Sequence, residues 1–530
     1  MQNRYRSVCV QCGGVIPAKA GFMMKENGQW KCYHAEGQCE TAGDPVLLDS
    51  VKFDDYQRAI IDAMLETDDN LLIKARAGSG KTTVMCAGFN EFHRRWDGED
   101  LLLLSFGKND ACRLAKKLLP GVPSSTMHSF GVGLIKNHWR WSKMQKRKDS
   151  ALMDSVIGIE GEDTERDRYR RYCEELISKA KADALLGDNL SGITGLVEKY
   201  SLDIPEIYIE KSVVYAGKCL ELSLDVKKWG YNYDDMLYLV AVCDLDIPSY
   251  SFIGVDECQD LNECQLVILE KLANSGARLM AIGDPEQSLY LFRGAASDSF
   301  ERVRSCLSGV ELPMPICYRC SQSVIARAQG LVPDIEARPG APIGSTDWIE
   351  MDYSVLTNKD MIICRTNVPL VRTALELIKL GIPFYMRKGE QEAGLLGWYI
   401  RFWGGSSLEE MLENGRKWLG EIKAGGSWRA GEHSDRFEVI ELLSMTCTDI
   451  RSLQDRIKEV FCSSANSGVM LSSIHQAKGS EAERVYHIRR DLCPHPRAKS
   501  SDELKQEQNA LYVAITRAIM DYYEVVNTEG

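Results

Sequence analysis

Short apolar runs closed by polar residues recur along the chain: NLLIK at 70–74, DLLLLSF at 100–106, SFIGVDE at 251–257 and RLMAIGD at 278–284. A second group comes later, with MIICRT at 361–366, VMLSSIH at 469–475 and YYEVV at 522–526. Runs of this length predict strands, and the patterns between them have helical periodicity, so the pattern is α/β. Residues 133–245 lose the strand character and become charged and helical in pattern. The leucine-rich stretch near 266–273 reads as core packing.

Punctuation divides the chain. Residues 1–43 are rich in cysteine and glycine, unlike the remainder of the sequence, and the proline-rich PDIEARPGAPIG marks a seam at 333–344. The expected organisation is a small module at 1–43, then a first lobe at 44–132 and 246–310 with a helical insertion at 133–245. A second lobe would take 311–388 and 469–530, with a glycine-punctuated insertion at 389–468. A chain of 530 residues is too long for one ordinary core, which agrees with several domains.

Composition adds exclusions. With 44% hydrophobic and 26% charged residues, the chain is of ordinary globular type. No run approaches membrane-spanning length and no apolar leader opens the sequence, so a cytoplasmic protein with no membrane partner is expected. Eighteen scattered cysteines read as reduced thiols rather than a disulfide scaffold. Cys86, Cys219 and Cys243 lie in apolar surroundings and read as core. The net charge of −12 argues against a globally basic DNA-coating protein but permits a local footprint. KNHWRWSKMQKRK at 136–148 carries six Lys or Arg with two tryptophans between them, and it fits a nucleic-acid contact or a solvated charged helix equally well. His138 within it reads as a surface histidine.

The chemistry begins at IKARAGSGKTT, residues 73–83. A strand, a glycine turn and a helix start suit phosphate: backbone N–H groups converge on the anion and the helix N-terminus adds favourable partial charge. Ala77, Gly78, Ser79 and Gly80 form the turn, Lys81 would reach the outer phosphates, Thr82 would ligate Mg²⁺, and Thr83 continues the helix. Ala75 stands where the motif has its first glycine. IGVDECQD at 253–260 supplies the companion acids: Asp256 to hold Mg²⁺ and Glu257 to deprotonate the attacking water. In GDPEQSLYLFRGA, at 283–295, Gln287 could contact the γ-phosphate, while Phe292 and Arg293 could meet a base and a phosphate.

With Cys317-Tyr318-Arg319, SSIHQAKGSE (472–481) and QNALYVAITRA (508–518), this ordered set resembles superfamily 1 helicases of the UvrD/Rep/PcrA type, from about residue 53 onward. The resemblance implies two RecA-like lobes with ATP in the cleft between them and single-stranded DNA across their top. It implies that Gln57 in FDDYQRAII reads the adenine edge, Tyr318 stacks on the base, and Glu481 lies near the ribose. Arg319 and Arg517 match two arginine fingers; Phe106, His128, Phe292 and Arg293 match contacts to the single strand. Alanine is accepted by the family at position 75. The implied activity is ATP-driven 3′-to-5′ translocation with strand separation on single-stranded or tailed duplex DNA. A translocase that strips proteins but unwinds weakly, and an ATP-controlled binding switch, are the alternatives.

Departures from the family pattern accompany the match. Gly107-Lys108-Asn109 replaces the usual T-N-K after Phe106, Ser480 replaces a leucine, and Cys317 stands where asparagine is common. Cys317 and Cys320 flank Arg319 and read as structural rather than redox-active. The insertion between Tyr385 and Ser472 is far shorter than the regulatory subdomain typical of UvrD, and with thirteen residues after Arg517 no appended nuclease is expected.

In the first 43 residues, Cys9-x2-Cys12 has the spacing of a zinc knuckle, and Cys32, His34 and Cys39 offer the second half. The preferred Zn²⁺ set is Cys9, Cys12, His34 and Cys39, with Cys32 as alternate, since the segment resembles small zinc ribbons. So small a unit needs a staple to fold. A docking role toward DNA or a protein partner is expected of it.

Overall fold

The computed structural model describes residues 45–526 except 97, 158–162, 201, 290–297, 388, 425–429, 463–467 and 497. Ahead of residue 45 it describes the backbone of four short strands, of which Gly21–Glu26 and Gln29–His34 pair antiparallel. Cys9, Cys12 and Cys39 lie outside the described residues, as do the side chains of Cys32 and His34.

Two six-stranded parallel sheets organise the rest. The first has the order Val310–Met314, Leu71–Ala75, Arg278–Gly283, Phe252–Asp256, Leu101–Ser105, Ser124–Thr126. Its central strands are buried along nearly their whole length, because helices cover both faces of a parallel sheet. The second has the order Ser345–Ile349, Ala518–Val525, Ala482–His487, Asp360–Cys364, Val469–Ser473, Phe384–Met386. Every apolar run read as a strand is one.

One strand changes the expected boundary. Val310–Met314 lies at the edge of the first sheet, beside Leu71–Ala75, so that sheet closes four residues beyond 310. Its half-exposed sequence, VELPM, lacks an apolar run because an edge strand buries less.

Between Ser124–Thr126 and Phe252–Asp256 run helices at Met127–His138, Lys148–Ile157, Asp163–Ala182, Leu190–Lys199, Glu206–Ser223, Val226–Trp229 and Asp235–Val242. Inside this bundle Lys148 and Lys181 both pair with Asp235, at 2.7 and 2.9 Å, and Lys181 also with Asp149 at 2.6 Å. Lys148 therefore leaves the basic surface run and belongs to the interior. The second lobe's insertion is four helices, Gly389–Trp403, Leu408–Ala424, Ala430–Ser444 and Ile450–Phe461, packed around Tyr399, Trp403, Phe437 and Leu453. No helix among the described residues is long and apolar enough to cross a membrane.

The candidate nucleotide cleft

The phosphate loop is shaped by its neighbours. Leu71–Ala75 runs into the turn, and the helix Lys81–Arg95 leaves it. Gly78 and Gly80 have φ of +68° and +88°, left-handed values that glycine adopts without a Cβ clash. Among the described residues, the N–H groups of Gly78, Gly80, Lys81 and Thr82 meet no acceptor, so four donors are free in the turn and first helical residues, where an anion is favoured.

Lys81 stands 3.7 Å from Glu257, which follows the strand Phe252–Asp256 in left-handed backbone, φ +53°. That conformation is costly for a non-glycine residue, and such strain concentrates at functional positions. Burial opposes ionisation of Glu257, but Lys81, Lys478, the Gln259 amide and Arg517 outweigh it and hold the carboxyl below its usual range. Asp256 goes the other way: burial and then the adjacent Glu257 charge push it up. The two adjacent acids therefore shift in opposite directions, and the Glu257 carboxyl stays ionised beside Lys81.

A chain of hydrogen bonds ties these groups to the rest of the cleft. Gln259 donates to Glu257 at 2.6 Å and accepts from the Asp284 N–H at 3.0 Å. Asp284, fully buried, accepts from Gln287 Nε2 at 2.6 Å, from Arg76 at 3.1 Å and from Tyr512 Oη at 3.2 Å. Arg76 also pairs with Glu286 and, at 2.5 Å, with Asp334. Arg76, Gln259, Asp284 and Lys478 lie within the quoted motifs, yet spacing alone assigned them nothing.

The second lobe closes directly on the phosphate loop. The Tyr318 N–H donates to the Gly78 carbonyl at 2.9 Å, and the Ala77 N–H donates to Tyr512 Oη at 3.1 Å. A Cβ on Gly78 would lie 2.8 Å from both Arg319 Cβ and Cys317 Sγ, so glycine there also permits the close approach. Lys478 pairs with Asp260 at 2.5 Å and donates to the Gln287 carbonyl at 2.8 Å. Cys317 and Cys320 are buried against this contact.

Gln57 and Tyr318 meet around Asp54. Tyr318 Oη donates to Asp54 at 2.6 Å; Asp54 caps the helix Asp55–Glu66, and Gln57 accepts from the Asp54 N–H at 3.2 Å while donating to the Ser79 carbonyl at 3.0 Å. Glu481 and Arg319 pair with each other at 2.7 Å. Arg517 is almost wholly buried, donating to the carbonyls of Val513 and Ser480 and to Thr516. Among the described residues no carboxylate forms an ion pair with it. Burial, then the like charge of Arg319, lowers its pKa to about 10. A buried cation beside a second cation, with Lys81 and the free N–H groups near Glu257, is a donor set for a polyphosphate.

His128, on the helix Met127–His138, stacks on Tyr233 at 4.5 Å, and Phe106 is half-buried after Leu101–Ser105. Phe292 and Arg293 lie outside the described residues.

The UvrD/REP helicase N-terminal domain family matches residues 245–307, and the UvrD-like helicase C-terminal domain family matches 429–523. Both matches are to families of UvrD-type helicase domains. F-box DNA helicase protein 1 of Schizosaccharomyces pombe is 22% identical over 507 residues, covering 87% of this chain and 56% of that protein. F-box DNA helicase 1 of Gallus gallus is 23% identical over 526 residues, covering 89% and 49%. The ATP-dependent DNA helicase PcrA of Bacillus subtilis is 25% identical over 322 residues, covering 56% and 41%. The chain spans about half the length of the curated relatives it matches.

Proposed function

We propose that this chain is an ATP-dependent DNA helicase that moves 3′ to 5′ on single-stranded DNA and separates strands. The observation that carries the reading is the contact of both lobes with one phosphate loop: Tyr318 and Tyr512 bond to Gly78 and Ala77. A nucleotide there touches both lobes, so its binding and hydrolysis change how they sit together.

The site residues fit magnesium ATP. The free N–H groups of Gly78, Gly80, Lys81 and Thr82 and the Lys81 ammonium would hold the phosphates, Thr82 and Asp256 the Mg²⁺, and Gln57 and Tyr318 the base. When bound, magnesium ATP supplies the γ-phosphoryl group transferred to water. Glu257 accepts the water's proton, Gln287 senses the γ-position, and Arg319 and Arg517 stabilise the charge that develops. Glu481 holds Arg319 at 2.7 Å, so Arg319 would have to exchange this carboxylate for a phosphate to act on bound nucleotide. Phe106, His128, Phe292 and Arg293 carry the DNA strand.

The test is ATP turnover with and without a single-stranded oligonucleotide, together with unwinding of blunt, gapped and tailed duplexes. Stimulation by single strands with unwinding of a 3′-tailed duplex is expected. Turnover indifferent to DNA overturns the motor reading, and stimulated turnover without unwinding leaves a translocase.

For the first 43 residues we propose a zinc module held by Cys9, Cys12, His34 and Cys39, with Cys32 as alternate, serving to dock DNA or a protein. Support comes from ligand spacing and from the need of so short a unit for a staple. One zinc per chain in freshly purified protein is expected; its absence removes the proposal.

A further inference from the structure

The basic run at 136–147 begins on the last turn of the helix Met127–His138 and continues as a loop over 139–147 that displays one tryptophan. Trp139, at the end of the helix Met127–His138, packs against the core of the first lobe's insertion. A turn closes with the Ser142 N–H on the Trp139 carbonyl at 2.9 Å. Beyond it the backbone is stitched to Tyr231: Tyr231 N–H donates to the Lys143 carbonyl at 3.1 Å, and Gln145 N–H donates to the Tyr231 carbonyl at 2.8 Å. Between these anchors Trp141 is 93% exposed. A side chain of this size, held in water by a braced loop, gains nothing from folding.

Along the run the charges have one sign. Lys136, Arg140, Lys143, Lys146 and Arg147 are all exposed, and among the described residues none pairs with a carboxylate. No acid occurs from 136 to 147, in a chain whose net charge is −12. Lys148, the sixth cation of the run, is engaged by Asp235 inside the bundle. Five free cations around a displayed indole complement a strand with both phosphates and unpaired bases.

The loop also continues a line of aromatic surface. Tyr233, 59% exposed, stacks on His128 and stands two residues from Tyr231, which holds the loop. From His128 to His138 the helix rises about 15 Å, so a strand lying at His128 reaches Trp141 within a few more nucleotides.

The geometry points to a second single-strand site on the helical insertion, in which Trp141 stacks on an unpaired base and Lys136, Arg140, Lys143, Lys146 and Arg147 bind the phosphates of DNA running on from His128 and Tyr233. The inference rests on the DNA-motor reading.

The test compares the full chain with Trp141→Ala, Trp141→Phe and a Lys143→Ser/Lys146→Ser/Arg147→Ser variant, all checked for an unchanged thermal midpoint. Affinities are measured for oligothymidylates of about 8 and about 25 nucleotides, lengths below and above one to two stacking sites. Trp141→Ala should lose about tenfold on the longer strand and little on the shorter one, and Trp141→Phe should recover most of it. The triple variant should flatten the dependence of log affinity on log salt by about 2, at about 0.7 per phosphate contact on single strands. Long-strand affinity and salt slope unchanged in both variants would overturn the site. An equal loss on a blunt duplex would overturn its single-strand character. A wild-type chain that binds neither oligonucleotide would instead remove the DNA-motor reading itself.

Discussion

Arg76 of the phosphate loop reaches across 258 positions of sequence to Asp334, at 2.5 Å, while also holding Asp284 and Glu286 of its own lobe. Its guanidinium is buried, whereas the Asp334 side chain is 55% exposed. One arm of this cluster therefore ties the lobes together and two arms brace the loop that carries Gln287.

The arms should separate by mutation. Asp334→Ala removes only the half-exposed arm, worth about 0.2–1 kcal/mol, and should lower DNA-stimulated kcat up to about fivefold with little change in thermal midpoint. Arg76→Ala leaves Asp284 buried without its cation and should cost about 3–5 kcal/mol of stability. Calorimetry and steady-state turnover on both variants check this. Equal losses of stability would show that the cross-lobe arm has no separate role.

Glu257→Gln keeps the shape of the side chain and its contact with Gln259 but cannot accept a proton. It should bind ATP about as well as wild type and turn over about a hundredfold more slowly or worse. Lys81→Ala removes the cation 3.7 Å from Glu257 and should weaken nucleotide binding as well. Fluorescent-nucleotide titration and single-turnover hydrolysis separate the two. Near-normal turnover in Glu257→Gln would take the general base away from this residue.

Arg517→Ala should hydrolyse slowly with or without DNA, because closing the lobes no longer brings this cation to the phosphates. The loss of an arginine finger amounts to about 10³–10⁵ in kcat. Arg517 also satisfies the carbonyls of Val513 and Ser480, so the variant should be modestly less stable. Turnover of the folded variant, measured with and without a single-stranded oligonucleotide, decides the matter; retained DNA stimulation would assign Arg517 to structure alone.

Acid should destabilise the second lobe through His487. The ring is fully buried, its Nδ1 lies 2.7 Å from Tyr522 Oη, and burial, then the Arg490 charge, lowers its pKa to about 3. The unfolded chain binds this proton near pH 6.5, so between about 6.5 and 3 the unfolded state holds more protons and stability falls with pH. The contribution is complete above about pH 6.5 and declines by about 1.4 kcal/mol per unit through the window. Denaturant midpoints from about pH 7.5 down to about 4.5 should fall less steeply for His487→Gln. Parallel profiles would show that other groups govern acid unfolding.

What the sequence determined by itself was local. Strand runs such as LLLLS at 101–105 and LMAIG at 279–283 were legible because burial on both faces of a parallel sheet demands continuous apolar residues. The loop at 76–82, with Asp256 and Glu257, was legible because phosphate and metal chemistry fixes residue types at short spacing. The tertiary structure decided everything that depends on distant partners. It put VELPM at the edge of the first sheet, where half-exposure hides the strand pattern. It took Lys148 out of a basic run and buried it against Asp235, leaving Trp141 and five cations on the surface. It joined Ala77 to Tyr512 across 435 positions, and Arg76 to Asp334 across 258. No spacing rule reports such pairs, because the close approach of two lobes is set by the packing of both whole sheets and not by any one segment.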